Sequence, residues 1–536
     1  MLGMNLFNNI EFFGYLFLVL VFALLAAWAY YVTLRFNLHM LQLNGYDNEE
    51  HETWLKNNRG KQRQLIFMLI CGVMMAVYSA PVTAVISILF LIIDIRIYLF
   101  LKSVFTKKKL VMTTRAKRLV FTSCILLAAV VAIGEVFENY FHHVGGMAAA
   151  LIGIFLTPYI LMLANVINRP VEHMVRQYYI NDAKKILAEN DHIRVIGITG
   201  SYGKTSLKFY LNTLLSVKYN VLVTPESYNT PMGVVKTIRE KMKSTHEIFV
   251  CEMGARKVGE IKEICDIVHP RDGLITSIGP QHLETFFNME NIVKTKFELG
   301  DALPKEGLLF LNGDNEYITG NAGNYRNTVM YGAVESNGYR TEDVKVSDMG
   351  TTFTVIAPNG EKEEFTTRLI GAHNVINVLG AIAVAHTYGI PLSELKIPVR
   401  RLQPAEHRLQ LLDRGPVTVI DDTFNSNPIG SKAAVEMLHL FDGEHILITP
   451  GMVELGEDEK DYNFKFGTYA AANCDYIFLV GKKRTEPIYE GVISTGFDKT
   501  KVEAFDNLQD AMNRAMNIKT DKKKYILLEN DLPDNY

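Results

Sequence analysis

Surplus charge is what this chain has least of: 55 Lys and Arg stand against 58 Asp and Glu, a formal net charge of −3. There is no global basic field, which makes nucleic acid a poor partner. Cysteine is equally thin. Cys71, Cys124, Cys251, Cys265 and Cys474 are odd in number and lack C-x-x-C spacing, which excludes a disulfide framework and a zinc site and leaves each as a buried structural residue. Charged residues are only 21% of the chain against 48% apolar, and the deficit sits in the first third.

There, 12–32 carries no charge and is long enough to cross the roughly 30 Å hydrocarbon core of a bilayer. No basic residues precede it and no small-residue cleavage pattern follows it, so it reads as a retained span and not a removed signal. Further apolar runs cover 65–80, 82–101, 119–138 and 144–166, with Pro81 closing a tight hairpin between the second and third. Basic residues cluster after the first run (Arg35, Lys56, Arg59, Lys61, Arg63) and after the third (Lys102, Lys107, Lys108, Lys109, Arg115, Lys117, Arg118), while the other two turns have none. The positive-inside rule then gives an all-α bundle of about five spans, with the N-terminus outside and the remaining two-thirds of the chain in the cytoplasm. Asp94 and Arg96 lie inside the third run, where ionisable residues mark either a functional site or an inner end from which arginine snorkels. After Pro170, Val171, Met174, Val175, Tyr178, Ala183, Ile186 and Leu187 recur at helical spacing, an amphipathic connector expected to pack on the next domain.

The rest of the chain is organised by 196–206, Ile-Gly-Ile-Thr-Gly-Ser-Tyr-Gly-Lys-Thr-Ser. A buried strand over 193–198 runs into a glycine loop and then into a helix over 206–215. In that setting backbone N–H groups turn onto phosphate oxygens, the lysine reaches the outer phosphates and the hydroxyl reaches magnesium. The generic eight-residue phosphate loop is not met, since Ile198 stands where its first glycine would be.

Thr199-Gly200-Ser201-Tyr202-Gly203-Lys204-Thr205 resembles the loop of the Mur ligases, the ATP-dependent amide-forming enzymes of peptidoglycan precursor synthesis. The likeness continues through Cys251-Glu252-Met253-Gly254-Ala255, Gln281-His282-Leu283-Glu284, Lys294-Thr295-Lys296-Phe297-Glu298, Leu311-Asn312-Gly313-Asp314-Asn315, Gly371-Ala372-His373-Asn374, Gln403-Pro404-Ala405-Glu406-His407-Arg408, Asp421-Asp422-Thr423-Phe424-Asn425 and Gly451-Met452-Val453-Glu454-Leu455-Gly456. Its wording is nearest to the D-alanyl-D-alanine-adding branch. The resemblance implies α/β architecture: a central ATP-binding domain over 191–400 and a smaller Rossmann-like domain over 401–536, behind a transmembrane domain over 1–170 and the connector over 171–190. It implies a catalytic set of Lys204, Glu252, His282, Lys296 and Arg408. ATP would lie on Thr199 to Ser206, Asn315, Asn374, Arg408 and Asp422. Mg2+ would be held by Thr205, Glu252, His282 and Lys296, the last as a carbamate. Asn425 would order its loop, and Phe424 stands where tyrosine is usual.

Amide formation from a carboxylate needs activation, and γ-phosphoryl transfer to it makes an acyl phosphate that an amine attacks, so cations matter more than nucleophiles. Two family parts have no counterpart: the uridine-binding first domain, whose place the apolar third takes, and the Lys-Gly-Ser-Arg-like loop with its final helix. The expected partners are therefore ATP, a carboxylate acceptor on a cell-envelope precursor, an amino acid or dipeptide amine, and the lipid bilayer of the cell membrane. The acceptor is uridine-linked, or lipid-linked or polymeric as in poly-γ-glutamate synthases. A transporter driven by a phosphate-loop ATPase is the reading from another class, and against it no Leu-Ser-Gly-Gly-Gln-like signature follows the loop.

Overall fold

The computed structural model describes residues 2–58, 63–77, 80–104, 109–137, 145–424 and 426–531. Asn425, Lys107 and Lys108 lie outside the described residues, as does most of the second uncharged turn. The chain divides into two compact units, residues 1–177 with 533–536, and 178–532.

The first unit is helical: α1 (Leu2–Leu43), α2 (Asn48–Asn57), α3 (Arg63–Val77), α4 (Ala80–Val104), α5 (Thr114–Val136), α6 (Gly145–Phe155) and the larger part of α7 (Thr157–Ala188). It has an apolar core, including Phe22, Leu38, Leu41, Leu91, Leu119 and Leu151, and apolar side chains on its outside as well. Phe17, Leu20, Leu24, Phe121 and Ile133 are exposed, while Thr33, Asn37, Asp94 and Ser123 are buried. Two helices are long and apolar enough to cross a membrane, Leu16–Leu43 and Thr114–Val136, and a third span results if α6 and α7 count as one. These two or three are what the described residues show of the five expected spans. The run over 144–166 is not a straight span, because α6 and α7 meet at 78°. Two features account for the break: Pro158 in the first turn of α7 has no N–H to continue the ladder, and α6 is drawn against α5 by small residues, a Cβ on Gly134 falling 2.4 Å from Ala149 Cβ. The apolar part of α3 is short, Leu65–Met74.

Helix α7 runs on through Pro170 as far as Ala188. The units divide within it, between Gln177 and Tyr178. In the second unit Ile180 and Ala183 are buried among Ile193, Val195, Val234 and Phe249, with Ile186 and Leu187 beside them. Of the cysteines, four are buried and Cys124 is exposed on α5.

The second unit carries two sheets. The first contains β1 (Arg194–Thr199), β2 (Val221–Val223), β3 (Ile248–Glu252), β4 (Asp272–Ile275), β5 (Leu309–Asn312), β6 (Thr328–Gly332), β7 (Tyr339–Ser347), β8 (Gly350–Ile356) and β9 (Lys362–Thr367), in the order β2-β3-β1-β4-β5-β6-β7-β8-β9. It is parallel as far as β7 and antiparallel beyond. The central strand Val195–Ile198 is apolar without alternation because helices cover both faces. On one face lie α8 (Lys204–Leu215) and, further along the chain, the alanine-rich helix Ala372–Thr387, joined through Leu207, Leu211, Val378 and Ile382. On the other lie Pro231–Lys241 (α9), Glu260–Val268 (α10) and Met289–Asp301, the last preceded by the single turn Leu283–Phe286 (α11), so that Met289–Asp301 is α12.

The second sheet has β10 (Gln410–Asp413), β11 (Val417–Asp422), β12 (Glu444–Thr449), β13 (Tyr476–Val480), β14 (Val502–Phe505) and β15 (Lys524–Glu529), ordered β10-β11-β15-β12-β13-β14 and parallel apart from β10. Strand ends Asp422 and Glu529 are register partners in β11 and β15. That pairing puts two carboxylates side by side at the carboxyl edge, where open parallel sheets bind ligands.

Candidate active site

Strand β1 delivers the glycine loop to the N-terminus of α8. Gly200 has φ +150° and Gly203 φ +81°, and a Cβ on Gly200 would fall 2.0 Å from Thr276 Oγ1, so glycine is required there. The loop is tied to the segment that follows β4: Ser201 N–H donates to Ser277 O at 2.7 Å, Ser201 Oγ to Gly279 O at 2.9 Å, and Tyr202 OH to Pro280 O at 2.5 Å. With its shape set from outside, the loop leaves its inner backbone groups and the helix dipole for an anion.

Lys204 Nζ donates to the loop carbonyls of Gly200 at 2.6 Å and Ser201 at 3.0 Å. Burial lowers its pKa to about 8, with Glu252 opposing and Arg408 assisting. Thr205 Oγ1 donates to Glu252 Oε1 at 3.0 Å, and Asn229 Nδ2 donates to the same oxygen at 3.0 Å. Lys208, one turn beyond Lys204, places Nζ 3.0 Å from Glu252 Oε2, both side chains fully buried. Burial pushes the Glu252 carboxyl up, but Lys208, Lys204 and the Asn229 bond outweigh it and hold it below its ordinary value.

His282, at φ +52°, engages Glu454 of the second sheet's side through Nδ1. Burial lowers the histidine pKa against the pull of that carboxylate. The Glu454 carboxyl is pushed up by burial and drawn below its ordinary value by His282 and Arg256. Arg408 stacks on Phe424, its carbon 4.4 Å from the ring centroid, and its buried Nε has no hydrogen-bond partner among the described residues.

Two cavities meet here. One, of about 340 Å³, is walled by Ser201 to Thr205, Glu252, His282 and Arg408. The other, of about 380 Å³, is walled by Tyr202, Gly203, Ser206, Asn315, Asn374, Asp422 and again Arg408. Asn374 and Asn315 also have structural bonds, Tyr210 OH donating to Asn374 Oδ1 at 3.2 Å and Asn315 Nδ2 donating to Ile278 O at 2.9 Å. Thr199, Gly200 and Lys296 line neither cavity. Thr199 Oγ1 donates to Met253 O at 3.0 Å beneath the loop. Lys296 is buried on α12 with Nζ 5.7 Å from the Phe286 ring centroid, its pKa pushed well down by burial and by Lys204.

Residues 198–385 match the model of the Mur ligase middle domain, and 407–529 match that of the Mur ligase, glutamate ligase domain. The UDP-N-acetylmuramoyl-tripeptide--D-alanyl-D-alanine ligase of Bacillus subtilis is 32% identical over 324 residues, 60% of this chain and 69% of that protein. The chain belongs to the Mur ligase family. The enzyme of the same name from Haemophilus influenzae is 30% identical over 336 residues, covering 61% of this chain and 72% of its own. Among solved Mur ligases, a crystal structure of MurF from Acinetobacter baumannii superposes with TM-score 0.61 at 25% identity, covering 66% of this chain and 77% of that one. The fold is shared as well with MurF ligase from Thermotoga maritima in complex with ADP, TM-score 0.59 at 24% identity, covering 66% and 80%.

Sequence reasoning about the Mur ligase site missed four residues. Lys208 had a signal, its i+4 spacing from Lys204 on the loop helix. Glu454 was within a matched motif without a role. Asn377, whose amide oxygen would lie 2.7 Å from a Cβ on Gly203, closes the matched motif that begins at Gly371 and likewise had no role, and Glu529, which walls the second cavity, had no signal.

Proposed function

We propose that this chain is an ATP-dependent ligase that joins an amine, D-alanyl-D-alanine in the reading its relatives favour, to the terminal carboxylate of a muramoyl-peptide precursor. The observation that carries this is the junction at Arg408. A cavity of about 380 Å³ with Asp422 in its wall meets, across one guanidinium and the phosphate loop, a second cavity containing Glu252 and His282. In-line transfer needs the triphosphate to be held at one side of such a junction and the acceptor at the other.

The residues act as follows. The loop N–H groups and the α8 dipole bind the triphosphate, and Lys204 exchanges its two loop carbonyls for phosphate oxygens. Arg408, its Nε unsatisfied, spreads over the phosphoryl group in flight, the fork matching its planar oxygens. The acceptor carboxylate oxygen attacks γ-phosphorus, the bond to the β-bridging oxygen breaks, and ADP leaves. The amine then attacks the acyl carbon, phosphate departs with the former carboxylate oxygen, and the amine proton is lost to solvent. Thr205 Oγ1 and Glu252 are hard oxygen donors 3.0 Å apart, a set that suits Mg2+, which takes one or two carboxylates together with phosphates and would neutralise phosphate charge. Among the described residues no group of three or more His, Cys, Asp or Glu is assembled. His282 and Lys296 therefore depend on a partner at a second cation site. Lys296, its pKa pushed well down by burial and by Lys204, would be the residue to carry the carbamate.

A membrane location with the ligase domains cytoplasmic is part of the proposal, supported by the two apolar helices and the outward-facing side chains of the first unit. It makes a lipid-linked acceptor the second reading. Family membership favours either ligase over a transporter. The test uses full-length protein in nanodiscs with ATP, Mg2+, UDP-linked muramoyl tripeptide or its polyprenyl-linked form, and D-alanyl-D-alanine, read by ADP release and product mass. ADP release dependent on both acceptor and amine is expected. Release that needs no amine and is unchanged in Lys296→Ala would overturn the ligase reading.

A further inference from the structure

Glu454 is a carboxylate that the transfer chemistry leaves unused, and the bonds described for its head run away from its own domain. It sits on the turn over 450–456 that follows β12. Oε2 takes the Nδ1 side of His282, Oε1 lies 3.5 Å from the Arg256 guanidinium, and the Glu454 carbonyl accepts from Leu283 N–H at 3.1 Å. The turn itself is anchored at home. Met452 N–H donates to Asn463 Oδ1 at 2.9 Å, Asn463 Nδ2 donates to Met452 O at 3.0 Å, and Asn530 Nδ2 donates to Gly451 O at 2.6 Å.

Both partners are held in backbone conformations that side chains other than glycine avoid, Glu454 at φ +63° and His282 at φ +52°. Such conformations persist where the surroundings over-determine them, and they gather at functional sites. Gly456 comes equally close, a Cβ there falling 3.7 Å from Leu283 Cβ. With a carboxylate oxygen against Nδ1, the tautomer that makes this hydrogen bond carries its hydrogen on Nδ1 and leaves the lone pair on Nε2. That is the arrangement by which a carboxylate orients a metal-ligating histidine.

We propose that Glu454 is a positioning residue through which the C-terminal domain sets His282, so that a divalent cation binds at His282 only while the 450–456 turn is docked on the middle domain. Cation binding and docking then strengthen each other by the same factor. The inference rests on the reading of His282 as a cation ligand, and goes beyond it by making the ligand's geometry a property of the neighbouring domain.

The test is a Mn2+ titration followed by electron paramagnetic resonance on the full-length protein with a non-hydrolysable ATP analogue. Two Mn2+ sites are expected in the unsubstituted protein. Glu454→Ala should weaken the second about 10- to 100-fold while the site at Thr205 and Glu252 keeps its affinity, a selectivity that general destabilisation would not produce. Glu454→Gln, which still accepts from Nδ1–H but lacks the charge, should fall between. Two sites with unchanged affinity in both variants would overturn the role of Glu454 and leave the ligase reading standing. A single Mn2+ site in the unsubstituted protein would overturn it together with the assignment of His282.

Discussion

Asp94 in the helical unit and Glu252 in the ligase unit are both fully buried carboxylates, and they are held in opposite ways. Glu252 collects hydrogen bonds from Thr205 and Asn229 on one oxygen, while the other, without a hydrogen bond of its own among the described residues, has the Lys208 ammonium 3.0 Å away as an ion pair, with Lys204 close enough to pull on its titration. Asp94 has Thr33 Oγ1 at 3.1 Å on Oδ2, and Oδ1 has no hydrogen-bond partner among the described residues. Around Glu252 apolar side chains point inward to the sheet. Around Asp94 they divide, Leu91 and Ile95 packing inward while Leu89, Ile92 and Ile93 are exposed on the same helix. One unit arranges counter-charge because its ligands are charged. The other holds its carboxylate inside a bundle that also exposes apolar side chains.

Removing each carboxylate tests that contrast hardest. Glu252→Ala leaves Lys208 buried without its partner, and is expected to lower stability by about 3–5 kcal/mol and ligation by about 1,000-fold. Asp94→Asn should move stability by about 1 kcal/mol or less. Chemical unfolding in detergent and ATP-dependent product formation give both numbers, and equal losses would break the comparison.

A smaller effect is expected at Arg408→Lys, which keeps the charge but loses the planar fork and the stack on Phe424. The turnover number should fall about 100-fold with folding intact. If the lysine restores full turnover, charge alone suffices at the junction.

The pH dependence sharpens the picture of buried carboxylates whose burial outweighs any nearby cation. Burial raises Glu529 to about 8, with Asp422 adding to it, and raises Asp422 to about 6, with Arg408 opposing. The folded form therefore retains protons that the unfolded chain has already released. The stability these groups contribute is full below the unfolded values of 4.5 and 3.8 and is lost as pH rises toward about 8. Glu529→Gln should flatten that decline in unfolding midpoints measured from pH 4 to pH 9. An unchanged slope would remove Glu529 as its source.

The smallest effect lies at Cys124, exposed on α5. Cys124→Ser should change stability by about 0.5 kcal/mol or less. The native thiol should resist a water-soluble maleimide in nanodiscs and react in detergent after unfolding. Rapid labelling in the bilayer would show that α5 is not lipid-covered there.

Much of the site was legible because it is local. The strand, loop and helix from Arg194 to Leu215 follow one another in the chain, and Lys204, Thr205 and Ser206 owe their placement to that order. Asp422 was legible for the same reason, at the end of an apolar strand. Glu529 was not, because only the pairing of β11 with β15 brings it beside Asp422, across more than a hundred residues. Asn377 enters through packing of its helix on α8. The antiparallel extension β7–β9 left no motif. The apolar runs were legible as helices but not as a number of spans, since the bend between α6 and α7 depends on how Gly134 and Gly145 pack.

The sequence by itself determined an apolar helical third, a phosphate loop at a helix N-terminus and the ordered motifs of a Mur ligase, because each is written in neighbouring residues whose propensity and spacing act locally. Tertiary structure alone decided that Arg408 stands between two cavities, that Lys208 neutralises Glu252, and that Glu454 holds His282 from the other domain. Those arrangements join groups far apart in the chain. They follow from sheet register and domain docking, which no local pattern encodes.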